Sequence, residues 1–123
     1  LERLRAPGIP FWTVGEEGVL LGCGALKELD PAHGEIKSMR TPQAARRRGA
    51  GRAVLAHIIS VARCRGYERL SLETGSHVAF TPAIRLYESF GFQRCGPFAD
   101  YPDDPHSIFM SMPVERMVAL AHC

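Results

Sequence analysis

The first third of the chain alternates apolar and polar positions with a period of two, broken by turn residues. Phe11–Val14 and Val19–Lys27 flank Gly15-Glu16-Glu17-Gly18 and predict a hairpin. A second turn over 30–34 leads into a third strand, Glu35–Thr41, which Pro42 stops, and the three strands predict an antiparallel meander. Residues 1–10, with Pro7, Gly8 and Pro10, read as a connection. After a polar, Arg-rich stretch the period becomes 3.6. Val54, Leu55, Ile58, Ile59, Val61 and Ala62 form one stripe of a helix from Gly51 to about Arg65, closed by Gly66. A strand over Arg69–Glu73 follows. A second helix then starts with Thr81 as N-cap and Pro82 at its first position, buries Ile84, Leu86 and Phe90, and ends at Gly91. Phe92–Cys95 and Ser107–Met112 predict a last pair of strands, joined by a loop dense in Gly, Pro and Asp. The order implies α/β packing of helices on a mixed sheet.

With 123 residues, 46% of them apolar, and a formal net charge of +2, the chain fits one globular domain over 1–123. Its core spans about 11–112, with a short amphipathic tail over 113–123. No apolar run approaches the length of a membrane span, and the expected location is the cytoplasm. Cys23, Cys64, Cys95 and Cys123 stand far apart without metal-ligand spacing, a pattern that suits reduced thiols. Asp100, Asp103, Asp104 and His106 cluster, but the prolines among them point to turn capping, and no metal is assigned.

The positive charge concentrates in Arg46-Arg47-Arg48-Gly49-Ala50-Gly51-Arg52, between a strand and the most periodic helix. Glycines at such a junction let several N–H groups converge, and a helix N-terminus adds about half a positive charge. A pyrophosphate needs that environment; the alternative is a tight turn with a solvated arginine face. The loop lacks the Gly-Lys-Ser/Thr ending of a Walker loop, and Val54 stands where a dinucleotide fingerprint requires glycine.

Arg-x-x-Gly-x-Gly between strand and helix resembles the acyl-CoA-binding motif of the GCN5-related N-acetyltransferases (GNAT). The stretch from Ala83 to Phe92, with Leu86-Tyr87-Glu88 followed by Gly91-Phe92, is similar to that family's Leu-Tyr-Glu-x-x-Gly-Phe signature. The element order from Phe11 to Met112 matches as well, and the last hairpin is similar to that of a bacterial subgroup of acetyltransferases. The resemblance implies a mostly antiparallel sheet flanked by helices, whose fourth and fifth strands splay at a bulge. Acetyl-CoA would enter there as cosubstrate, its arm bonded to the main chain of Met39, Arg40 and Thr41 and its pyrophosphate to Arg46, Arg47, Arg48, Gly49, Ala50, Gly51 and Arg52. Family members ordinarily begin with a further strand and helices that wall the acceptor cleft. This chain, which starts at Leu1, is expected to lack them.

Acetyl transfer to an amine requires a neutral nucleophile, a stabilised carbonyl oxygen and a protonated leaving thiolate. The resemblance makes Tyr87 the acid. Two carboxylates compete as base. Glu73 corresponds to the position used by the ribosomal-protein-alanine branch and is preferred, although it lies further from Tyr87 than in that branch. Glu35 corresponds to the position of the histone-acetyltransferase branch and, by the period of two, shares a face with Met39. The family's usual Asn before the tyrosine helix is absent, with Ser76 or His77 as substitutes. Phe98, Asp100 and Tyr101 are candidates for choosing the amine. A catalytically silent acyl-CoA-binding module is the alternative function. A nucleic-acid-binding domain built on the arginine triplet lacks aromatic interleaving and a strongly basic balance, so nucleic acid is disfavoured. An exposed last strand could pair across a homodimer.

Overall fold

The computed structural model describes residues 2–4, 10–16, 19–40 and 49–115. Within them the order is β1 (Glu2–Leu4), β2 (Phe11–Glu16), β3 (Val19–Asp30), β4 (His33–Arg40), α1 (Ala50–Cys64), β5 (Arg69–Gly75), α2 (Thr81–Ser89), β6 (Gln93–Cys95) and β7 (Ser107–Pro113). One seven-stranded sheet runs β1-β2-β3-β4-β5-β7-β6. Every neighbouring pair is antiparallel except β4 and β5, which are joined through α1 and run parallel. This is the mixed, mostly antiparallel architecture that the periodicity and the family resemblance imply.

The sheet has two unlike faces because each strand alternates. Leu26, Ile36, Leu70, Leu72, Met110 and Met112 meet Val54, Leu55, Ile58, Ile59 and Ala62 of α1 and Ile84 and Tyr87 of α2 in one buried cluster. Each large apolar side chain in it contributes about 1.5–3 kcal/mol by leaving water. The residues between them, His33, Glu35, Ser71 and Phe109, point to the opposite face, where the loop between β6 and β7 folds over the strands. Phe98 and Tyr101 of that loop pack on the Phe109 ring with centroids 5.7 Å away in each case.

Close approach explains two glycines. A Cβ on Gly24 would stand 2.6 Å from Met39 Sδ and 2.8 Å from Val54 Cγ1, so only glycine lets α1 lie this close to β3. A Cβ on Gly34 would stand 2.9 Å from the Tyr67 ring. That ring cannot yield easily, since it is fully buried and its hydroxyl donates to Glu28 Oε1 at 2.9 Å.

Four expectations need correction. Residues 2–4 form β1, paired with β2 in register Arg3↔Trp12, so the first ten residues are not wholly a connection. Thr81 is inside α2 rather than its cap, because a 3-10 turn, Val78–Phe80, runs directly into the helix with Phe80 at the cap position. On α2, Ile84 and Tyr87 are fully buried, whereas Leu86 and Phe90 are only partly so. Cys23 and Cys95 are free thiols, but Cys64 is disulfide-bonded, contrary to the expectation for scattered cysteines. The tail beyond Glu115 lies outside the described residues. Among the described residues no helix is long and apolar enough to cross a membrane.

Gly34→Ala is expected to lower the unfolding free energy by about 1–3 kcal/mol in a urea titration, the range for overpacking a filled core. Gly96→Ala, where a Cβ meets open space, should change it by less than about 0.5 kcal/mol.

Candidate active site

The parallel pair is short. His33↔Arg69, Gly34↔Leu70, Glu35↔Ser71 and Ile36↔Leu72 are its registered partners. Beyond them β4 pairs only with β3, and β5 only with β7, so the two strands part. The cause is an extra residue in β4. Ala25 faces Lys37 and Cys23 faces Arg40, which sets three steps on β4 against two on β3. Ser38 absorbs the surplus with φ of +57°, a left-handed conformation rare outside glycine. The Cys23 thiol donates to the Ser38 carbonyl at 3.5 Å.

The bulge overturns one expectation about side-chain direction. Period-two counting puts Met39 on the face of Glu35, but one surplus residue inverts the alternation beyond it. Met39 packs against the helix-side core, near Gly24, while Glu35 faces the other way. Arg40 ends β4 exposed to solvent, opposite Cys23.

Among the described residues no side chain caps the N-terminus of α1. Gly49 occupies the cap position at φ 77°, contributes no side-chain bond, and is followed by no acidic residue in the first turn. Among the described residues nothing accepts from the amides of Ala50, Gly51 and Arg52, so the turn keeps its donors and its partial positive charge. Arg52 itself is turned aside: its guanidinium donates to Ser89 Oγ at 3.2 Å and lies 5.1 Å from the centre of the Phe90 ring, tying α1 to α2. Thr41, Arg46, Arg47 and Arg48 lie outside the described residues.

Tyr87 sits on α2 in the helix-side core, 6% exposed, with its ring edge-on to Phe92 at 6.0 Å. Burial, which disfavours the phenolate, pushes its pKa up to about 12. No hydrogen bond engages its hydroxyl among the described residues. Its phenol is therefore held protonated across the ordinary pH range.

The two carboxylates lie on the opposite face in different surroundings. Glu73 is exposed and accepts from Ser107 Oγ at 2.6 Å. Glu35 is 2% exposed. Its Oε2 accepts from the Tyr101 hydroxyl at 2.5 Å and lies 3.6 Å from Lys37 Nζ, which in turn donates to the Tyr101 oxygen at 3.2 Å. Beside this triad is a cavity of about 190 Å³, bounded also by Lys27, Leu29, Ala99 and Asp100. Ala99, at φ 53°, holds the loop in a second left-handed turn there. Two residues before Glu35 on the same face, His33 Nε2 bonds Ser71 Oγ at 2.6 Å; burial lowers the His33 pKa, outweighing the nearby Asp30 charge.

Sequence reasoning named Glu35 and Tyr101 separately and did not bring them together, since 66 residues separate them. It missed Lys37 altogether. Its only available signal was the Glu-x-Lys alternation, which sets both side chains on one face. Ser76 and His77 serve local structure, the first donating to the Pro105 carbonyl and the second accepting from the Ala79 amide. Asp104 caps the His106 amide. Among the described residues no group of three or more His, Cys, Asp and Glu is arranged to hold a metal ion.

Residues 1–92 match the family model described as the acetyltransferase (GNAT) family. The chain is 63% identical over 111 residues to the uncharacterized N-acetyltransferase YsnE of Bacillus subtilis (strain 168), spanning 90% of this chain and 74% of that one. It is 51% identical over 112 residues to the uncharacterized N-acetyltransferase YedL of Escherichia coli (strain K12), spanning 91% and 70%. A Klebsiella pneumoniae protein put forward as an acyl-CoA N-acyltransferase superposes with a TM-score of 0.80 at 33% identity, over 90% of this chain and 76% of its own. A GNAT family acetyltransferase from Elizabethkingia anophelis, with acetyl-CoA bound, shares the fold at a TM-score of 0.70 and 22% identity, over 86% and 76%.

The buried phenol makes the fold sensitive to alkali. Unfolding exposes Tyr87, whose pKa returns to about 10, so above that pH the unfolded chain holds fewer protons than the folded one and stability falls as pH rises. Denaturant titrations from pH 10 to 12 should register a loss on the order of 2 kcal/mol from this group, absent in Tyr87→Phe.

Proposed function

Because this chain belongs to the acetyltransferase (GNAT) family, and is accordingly an acyltransferase, we propose that it moves the acetyl group of acetyl-CoA to a primary amine of a small molecule or peptide by direct attack. The observation that carries this reading is the fork between β4 and β5, set beside the bare N-terminus of α1. A parted pair leaves main-chain N–H and C=O groups facing the gap, and an amide-bearing arm can satisfy them as a strand would. The open first turn of α1 fits the pyrophosphate at the other end of the same cofactor. When bound, acetyl-CoA supplies a thioester carbonyl as the electrophile.

The chain's own residues supply the rest. Amides of Gly49, Ala50, Gly51 and Arg52 hold phosphate oxygens, while the backbone of Met39 and Arg40 aligns the arm. Tyr87 gives its proton to the departing thiolate, whose unperturbed pKa near ~8.5 makes the transfer from a phenol feasible once the C–S bond stretches. Glu35 takes the proton from the amine. Its choice over Glu73 is supported by burial and by its place on the last paired residues before the fork, where a fixed carboxylate is shielded from water. The acceptor meets the face opposite the helices, where the cavity beside Glu35 lies.

Titration calorimetry with CoA should give one binding event for the parent chain and, within about threefold in affinity, for Tyr87→Phe and Glu35→Gln. Thiol release from acetyl-CoA over a panel of primary amines should fall about 10²-fold or more in both variants, the usual share of a general acid or base. Glu73→Gln should retain turnover. CoA binding with no turnover on any amine would reduce the protein to an acyl-CoA-binding module.

A further inference from the structure

We propose that Tyr101 is a proton relay, its phenol standing between the incoming amine and Glu35; the proposal rests on the acetyl-transfer reading above. Glu35 presents 3% of its side-chain surface, against 36% for Lys37, and its Oε2 is already covered by the Tyr101 hydroxyl at 2.5 Å. Both residues line the cavity of about 190 Å³, so an ammonium entering it finds Oε2 already bonded to the phenol and the phenol oxygen beside it. That oxygen donates its own hydrogen to Glu35 and accepts one from Lys37, and a phenol oxygen has a second lone pair for the newcomer.

Each partner has a physical part. The Phe98 and Phe109 rings hold Tyr101 in place, with centroids 5.3 and 5.7 Å away, and its amide donates to the Phe98 carbonyl at 3.2 Å. The positive charge of Lys37 disfavours a second cation nearby and so favours the neutral amine. The ammonium N–H bond breaks as its proton goes to the Tyr101 oxygen, while the Tyr101 O–H bond breaks and that proton goes to Glu35. The phenol is neutral before and after. The freed nitrogen attacks the thioester carbonyl and forms the amide bond, its second proton passing to solvent as the C–S bond breaks, and the thiolate takes the Tyr87 proton. Solvent then removes the proton from Glu35 and restores the one on Tyr87, so nothing else is consumed.

The test compares two amines of similar size, phenylethylamine, which is protonated at neutral pH, and O-benzylhydroxylamine, which is already neutral there. Tyr101→Phe keeps the ring and its aromatic contacts and removes only the hydroxyl. Its kcat/KM should drop about 10²-fold for phenylethylamine and less than about threefold for O-benzylhydroxylamine. Glu35→Gln should show the same selectivity, and the double variant should be no worse than either single one, because the two groups act as a unit. Equal losses on both amines would mean that Tyr101 is structural, and unchanged or higher activity on phenylethylamine would mean that it only covers Glu35; either overturns the relay. If the parent chain releases no thiol with either amine, the acetyl-transfer reading falls and the relay falls with it, an outcome distinct from turnover that ignores Tyr101.

Discussion

A single surplus residue in β4 governs the arrangement of everything around the candidate site. Parallel strands stay together only while each presents its donors and acceptors in step. At Ser38 the step is lost, and β4 and β5 separate after four registered positions. The same irregularity inverts the side chains beyond it. Met39 is drawn into the helix-side core, and Glu35 is left among polar neighbours on the opposite face.

Tyr87 and Glu35 thus lie on different sides of the sheet. Tyr87 is fixed among apolar side chains under α2, where burial keeps it protonated. Glu35 is fixed among hydrogen-bonding groups under the loop between β6 and β7. The two faces meet where the strands part. The two left-handed non-glycine residues among those described, Ser38 and Ala99, lie on the two elements that frame this region. Conformations of that kind cost on the order of 1–3 kcal/mol and persist where surrounding structure imposes them.

Much of the fold was legible in the residue order because local patterning and tertiary packing agree. The stripe on α1, the Gly66 terminus and the hairpin strands appear where their periods put them. The glycine before α1 was also legible, since Gly49 takes a left-handed φ of 77° at the cap position. The bulge in β4 was expected only from the family resemblance and could not be assigned to Ser38, because serine carries no signature for φ of +57° and the surplus residue shows only in the register with β3. The preference for Glu73 came from family position alone and gave no weight to burial, a property that depends on a loop beginning near residue 96. Lys37 escaped, and Tyr101 was named without its link to Glu35, for the same reason: their meaning arises from pairing across the tertiary structure.

Among the described residues the opening between β4 and β5 is also an internal pair of unpaired sheet edges, and such edges invite unwanted chains. Its length is its protection. Three or four residues flank it on each strand, about 10–13 Å at the usual rise. That accommodates a ligand with a couple of amide groups but is shorter than the five or six residues of an average strand. A stray polypeptide would gain too few ladder bonds there to offset its ordering, which lets the protein keep a sheet open at its centre without inviting self-association through it.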